Sequence, residues 1–200
     1  MSDPLQLPGK QIVLRDWKPE DVEPWARWMA PGHPWQQFDG PYFPPPDAET
    51  IAKWREKLER GSRTGDWPTP RANLPICLRD SDRMIGRVSW YWRERETGWR
   101  SLGIDVYDPA YWRRGIGYEA LGLWTDYLFD VAPEARRLDL ATWSGNTAMI
   151  RLAEKLGFVE EARFRRARVV QGEEYDSLGF GVLREEWKAR YPNGFGAQFP

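Results

Sequence analysis

Along residues 11–183 the apolar positions repeat every second residue in some stretches and every third or fourth in others. Each change of period marks an element boundary. QIVLRDW (11–17) alternates Ile12 and Leu14 with polar neighbours and predicts a first strand. In PEDVEPWARWMA (19–30), Val22, Trp25, Trp28 and Met29 follow helical spacing. The stretch 31–46 is too rich in Pro and Gly for regular structure, and Asp47 then caps a second helix with Ile51, Trp54 and Leu58 on one face. NLPICLRD (73–80) and RMIGRVSWYWRERE (83–96) predict two strands joined by a tight turn at Asp80–Arg83, and WRSLGIDVYD (99–108) predicts a third. Ile116, Ala120, Leu123, Trp124, Tyr127 and Leu128 carry a helix to about Val131, followed by a strand, RRLDLATW (136–143). NTAMIRLAEKLG predicts a short helix capped by Asn146 and closed by Gly157, and 162–170 with 175–183 predict a hairpin about Gln171–Gly172. The order β-α-α-β-β-β-α-β-α-β-β, without repeat or linker, predicts one α/β domain with a mixed sheet.

Composition narrows the function. Lys plus Arg number 29 against 30 Asp plus Glu, and the net charge of −1 predicts no nucleic-acid footprint. No apolar run reaches the ~20 residues of a membrane span. MSDPLQLPGKQ lacks the basic and apolar regions of a signal peptide, and Cys77 stands alone, so a reducing cytoplasm and no metal cluster are expected. Thirteen tryptophans exceed what a core of this size needs, so some are expected at a pocket or an interface.

PAYWRRGIGYEALGLW (109–124) is the stretch with chemistry in it. A helix interior glycine costs roughly 1 kcal/mol relative to Ala, and Arg113 and Arg114 lie at the positive end of a helix dipole. No side chain at 112–114 caps the first turn. An anion at that end accounts for all three features: glycines admit it, free N–H groups bind it and the arginines add charge. The competing account starts the helix at Asp108–Pro109 and uses the glycines for close packing. GIGYEA also satisfies the dinucleotide pattern G-x-G-x-x-A, but seven residues separate Tyr107 from Gly115, whereas the dinucleotide strand runs almost directly into its glycine. A nucleotide-dependent oxidoreductase is therefore the distant alternative.

DVYDPAYWRRGIGYEAL and WSGNTAMIRLAEKLGFVEEARFR, taken together, resemble the GNAT superfamily of acetyl-CoA-dependent N-acetyltransferases, and within it the Rim-like branch of ribosomal-protein N-terminal acetyltransferases. The resemblance runs from about residue 10 to 188 and leaves 189–200 as a C-terminal tail. It implies a single-domain α/β GNAT-like fold, with a mixed, mostly antiparallel sheet flanked by helices. It also implies acetyl-CoA as co-substrate, with the loop of Trp112, Arg113, Arg114, Gly115, Ile116, Gly117 and Tyr118 on the pyrophosphate. Val106 and Tyr107 would pair with the pantetheine arm, and Asn146 would touch the coenzyme; as a residue it is equally a helix cap. Trp112 replaces the broader family's Gln or Arg. Ala153 and Met149 stand where the family places a tyrosine or serine acid.

Transfer to an amine of pKa near ~10 requires removal of a proton. Asp105, Glu94 (or its neighbour Glu96) and His33 are the candidate bases, and a water relay is the competing arrangement. Trp35, Asp39 and Tyr42, with Phe38, are expected to line the acceptor pocket, floored by Trp90 and Trp92. Aromatic faces there would hold an ammonium. The implied partner is a small-molecule or peptide amine, met by a monomer or homodimer. A non-catalytic acyl-CoA-binding module is the alternative.

Overall fold

The structure, a computed structural model, describes residues 4–199. An eight-stranded sheet runs in the order β1-β2-β3-β4-β5-β6-β8-β7. Its strands are β1 (Gln6–Pro8), β2 (Ile12–Arg15), β3 (Asn73–Leu78), β4 (Met84–Glu94), β5 (Trp99–Val106), β6 (Arg137–Trp143), β7 (Val159–Val170) and β8 (Glu173–Leu183). The helices are α1 (Pro19–Met29), α2 (Ala48–Thr64), α3 (Ile116–Val131), α4 (Thr147–Leu156) and α5 (Arg184–Arg190). The sequence pattern anticipates all of these except β1 and α5. All strand pairs are antiparallel except β5 with β6.

Two cores sit on opposite faces. Strand alternation sends Val88, Leu102, Leu138 and Leu140 to one face, where they meet Leu121, Trp124 and Leu128 of α3, Leu156 of α4 and Trp187 of α5. The other face carries Cys77, Met84 and Tyr107, covered by Val22, Trp25 and Met29 of α1, Leu58 of α2, and Trp17 and Trp35. Cys77 is fully buried and its thiol is pushed up to about 12 by burial, so it is chemically inert. Tyr191 and Phe195, in the segment expected as a tail, belong to the α3 core.

The single parallel pair creates the feature on which the site depends. β5 and β6 pair only at Arg100–Leu138 and Ser101–Asp139. Beyond those positions β5 stays with β4 and β6 stays with β8, so the middle of the sheet opens toward the C-terminal ends of both strands.

Candidate functional site

The opening ends at the loop before α3. Asp108 does cap a turn, accepting from the Ala110 N–H at 3.0 Å, but only the short 3-10 turn Pro109–Tyr111. Trp112 is then extended, Arg113 is left-handed (φ 59°) and Gly115 is left-handed (φ 85°), so α3 begins only at Ile116. A left-handed non-glycine residue costs roughly 1–2 kcal/mol. In return the loop turns its peptide N–H groups outward. Among the described residues, the amides of Arg113, Arg114, Gly115, Ile116, Gly117 and Tyr118 donate to no protein acceptor. Arg113, Arg114 and Gly115 are exposed. This is an anion-binding nest at a helix N-terminus.

The two glycines serve different ends. A Cβ on Gly115 would meet nothing closer than Gln11 at 3.7 Å, so its requirement is the positive φ. A Cβ on Gly117 would lie 3.3 Å from Leu152 of α4, so its requirement is close helix packing. The loop is anchored from behind by Glu119, which is buried and accepts the N–H groups of Gln11 (2.7 Å) and Ile12 (3.1 Å), while Gln11 donates to the Arg114 carbonyl.

Tyr107 donates its N–H to Ile85 of β4 at 2.8 Å. Antiparallel alternation then turns the N–H groups of Ile104 and Val106 the other way, into the opening. Trp112 donates from its indole to the Val106 carbonyl at 2.8 Å, which leaves the Val106 N–H as the group facing the gap. The expected pairing of both Val106 and Tyr107 with a ligand is corrected accordingly: the Tyr107 amide is committed to β4 and its ring is buried under Trp28 and Trp35.

Asp105 stands beside this N–H. Its carboxylate accepts from Arg87 Nη2 at 3.0 Å, and burial raises its pKa against the pull of Arg87. Asp39, exposed at the lip of the opening, is raised to about 6, chiefly by the charge of Asp105, with Arg87 opposing. Asp105, Asp39, Arg87 and the Tyr107 hydroxyl thus form one electrostatic group. Arg87 was not among the sequence candidates. The signal for it is its place as the one charge within the strand run MIGRVSWYW, at an alternation position opposite Asp105.

Phe38 bridges the mouth. Its carbonyl accepts from Trp143 Nε1 and Asn146 Nδ2, both at 3.3 Å, and its ring packs edge-on against Trp112 at 5.6 Å. Gly145 permits this, since a Cβ there would fall 1.8 Å from the Trp143 indole. Asn146 also caps α4 by accepting the Met149 N–H at 3.1 Å, so both ends of its side chain are engaged by protein. Tyr42 lies under the Arg168 guanidinium at 4.2 Å. Tyr118 packs on Phe195 with Lys155 over its ring.

Other candidates lie elsewhere. Glu94 ends β4 opposite Trp99, and Glu96 lies in the turn that follows; both are six strand residues or about 20 Å from Asp105 and interact with each other. His33 hydrogen-bonds the Arg27 carbonyl from Nε2 at 2.9 Å, closing the end of α1, and makes no hydrogen bond to Asp105 or Asp39. Trp90 and Trp92 project on the α3 face, opposite Asp105, because even and odd strand residues part company; Arg100 lies over both rings. Trp35 is a wall of the α1 core, with its indole donating to the Trp28 carbonyl. A depression of about 770 Å³ lined by Trp92, Trp99, Arg100 and Arg137 is at the far end of β5, remote from this group.

With this geometry in view, the likeness to known proteins is specific. A family model described as an acetyltransferase (GNAT) domain matches residues 11–159, more than half of the chain. The chain belongs to the GNAT acetyltransferases. A curated relative, the SPbeta prophage-derived uncharacterized N-acetyltransferase YokL of Bacillus subtilis, is 24% identical over 92% of this GNAT chain and 96% of its own. A GCN5-related N-acetyltransferase from Brucella melitensis is 25% identical with a TM-score of 0.64, covering 94% of this chain and 82% of that one. An acetyltransferase of the GNAT family from Bacillus anthracis shares the fold at 18% identity and a TM-score of 0.69, covering 91% and 100%. No helix of this acetyltransferase, among the described residues, is long and apolar enough to cross a membrane.

Proposed function

We propose that this acetyltransferase moves the acetyl group of acetyl-CoA to a primary amine by direct attack in a ternary complex, and that it sits in the Rim-like branch that its loop and Asn-led helix resemble. The observation that carries the reading is the run of six unclaimed amides at Arg113–Tyr118 beside the gap between β5 and β6. A diphosphate fits that nest, with Arg113 and Arg114 adding charge, and the divergent strands leave a slot for an extended arm. The coenzyme supplies a thioester carbonyl and a thiolate leaving group. The chain's own residues supply the rest.

Asp39 and Asp105, set against the single charge of Arg87, attract an ammonium. Asp39, at about 6, is ionised at neutral pH but cannot strip a free ammonium of pKa near ~10 without an uphill step of roughly 5–6 kcal/mol. An ammonium has no lone pair, so this proton must leave before the C–N bond forms, and Asp39 accepts it directly or through water in that uphill pre-equilibrium; the nitrogen's second proton becomes acidic once the bond has formed and leaves the tetrahedral adduct to water. The Val106 N–H faces the gap and stabilises the oxyanion. Ala153 and Met149 offer α4 no acid; a thiolate of pKa near ~8.5 leaves without one.

Acetyl-CoA at ~100 times its dissociation constant adds about 2.7 kcal/mol to stability. The melting temperature should rise by several degrees with acetyl-CoA and stay fixed with NAD. Thiol release is then followed over peptide N-termini, amino sugars and small amines. Tight binding with no release from any amine would leave an acyl-CoA-binding module instead.

A further inference from the structure

Four of the thirteen tryptophans meet away from the α3 loop. Trp17, Trp25, Trp54 and Trp67 line a cavity of about 170 Å³ between α1, α2 and the segment entering β3. Its walls are built into the fold. Gly61 of α2 makes room for Trp67, because a Cβ there would fall 2.4 Å from the indole. Trp17 Nε1 donates to Asn73 Oδ1 at 2.7 Å. Arg71 is held on three sides: its guanidinium by Asp16 at 2.7 and 3.1 Å, its N–H by the Tyr127 hydroxyl, and its carbonyl by the Trp90 indole. Walls fixed in advance cost a ligand little ordering.

The lining holds three cations and no acid. Asp16 neutralises Arg71, but Lys57 forms no ion pair among the described residues. The Arg87 guanidinium engages protein only through Nη2, on Asp105, and its Nε is buried without a partner. An apolar cavity of about 150 Å³ takes up benzene, so one ring fits the space.

We propose that this cavity binds a planar aromatic ring bearing a carboxylate, the ring between the tryptophan faces and the anion on Lys57 and Arg87. Because Arg87 also holds Asp105, the ligand sits one guanidinium away from the Asp105–Asp39 group. The aryl acid is either the far end of the acceptor amine or a separate small molecule. Only this link to the reaction rests on the transferase reading; the cavity and its ligand do not.

Calorimetric titration of the full chain without acetyl-CoA tests the chemistry, using phenylacetate, benzyl alcohol and acetate. Phenylacetate should bind saturably and each truncated probe at least ~10-fold more weakly, as expected when either the stacking or the charge is removed. Trp54→Ala, whose parent side chain is 42% exposed and lies outside both cores, should keep most of the urea midpoint and weaken phenylacetate; Lys57→Gln should weaken phenylacetate and leave benzyl alcohol unchanged. No saturable binding by the wild type, equal affinity in Trp54→Ala, or indifference to the carboxylate would each overturn the proposal. With acetyl-CoA added, thiol release from 4-(aminomethyl)benzoate and from benzylamine separates the two sources. A lower KM for the acid, with phenylacetate competing against the amine, makes the cavity the acceptor's far end. Equal KM values with non-competitive phenylacetate make it a separate ligand's site. Phenylacetate binding without release from any amine would sink the transferase reading and leave the cavity standing.

Discussion

At the level of single residues, Gly115 and Gly117 are separable by substitution. Gly115→Ala forces a side chain into a left-handed backbone and should cost about 1 kcal/mol in urea unfolding, with weaker acetyl-CoA binding as the amide nest flattens. Gly117→Val should also lose both, through a different contact: its branched side chain drives into Leu152. Leu152→Ala added to Gly117→Val should therefore restore part of the lost stability, whereas added to Gly115→Ala it should only subtract. Asp39 gives a pH test with a definite sign. Its carboxyl rises from 3.8 to about 6, so the folded chain holds that proton more tightly than the unfolded one. The contribution to stability is complete below pH ~4 and disappears as pH climbs through about 6. Activity moves oppositely, since the carboxylate is the working form. The kcat/KM profile should rise through pH about 6 and level off, and Asp39→Asn should lower it and erase that limb. A wild-type profile with no inflection there would remove Asp39 from the proton path.

At the level of elements, the covering helix α1 is fixed to the sheet by charge as well as by apolar contact. Buried Arg15 of β2 grips Asp21 of α1 with two bonds of 2.7 and 3.0 Å and reaches Asp82 in the β3–β4 turn at 2.7 Å. Arg15→Ala would strand a buried carboxylate, and the expected loss is about 3–5 kcal/mol by denaturant unfolding. An unchanged midpoint would mean that water replaces the guanidinium. The longer elements were legible in the sequence because their periodicity is sustained. β1 is three residues ending in a proline and α5 is seven residues, both too short to show a period. The start of α3 was legible as an anomaly, because missing caps and misplaced charge leave a mark in the letters. Which face a strand residue occupies was harder. Alternation along β4 puts Arg87 on the face opposite Trp90 and Trp92, but only the register of β4 on β5 tells that Asp105 shares that face with Arg87. The tryptophan cavity escaped for a related reason: Trp17, Trp25, Trp54 and Trp67 come from four separate segments that only tertiary packing unites.

Across the whole molecule α3 is the shared beam. Its first turn presents the amide nest, its middle packs on the sheet, and its outer side carries the chain's last segment. Gly122 is bare because Phe195 occupies the space where its Cβ would be, at 2.1 Å. Asp126 accepts the Phe195 N–H at 2.8 Å and the Trp187 indole at 2.9 Å, so one carboxylate holds both α5 and the terminal turn. Phe195 is fully buried, and Tyr118 in the nest packs on its ring. Phe195→Ala should thus cost about 3–5 kcal/mol, the range for deleting a buried aromatic ring. It should also loosen Tyr118 and weaken the nest. Two measurements separate these effects: thermal unfolding of the variant alone, and its shift on adding acetyl-CoA. If Phe195 acts only through the core, saturating acetyl-CoA adds the same increment, about 2.7 kcal/mol at ~100 times the dissociation constant, to variant and wild type. If the ring also braces the nest through Tyr118, the variant at the same acetyl-CoA concentration gains less, and its dissociation constant rises. A melting temperature unchanged by Phe195→Ala would detach the terminal segment from the core and α3 from its role as the link.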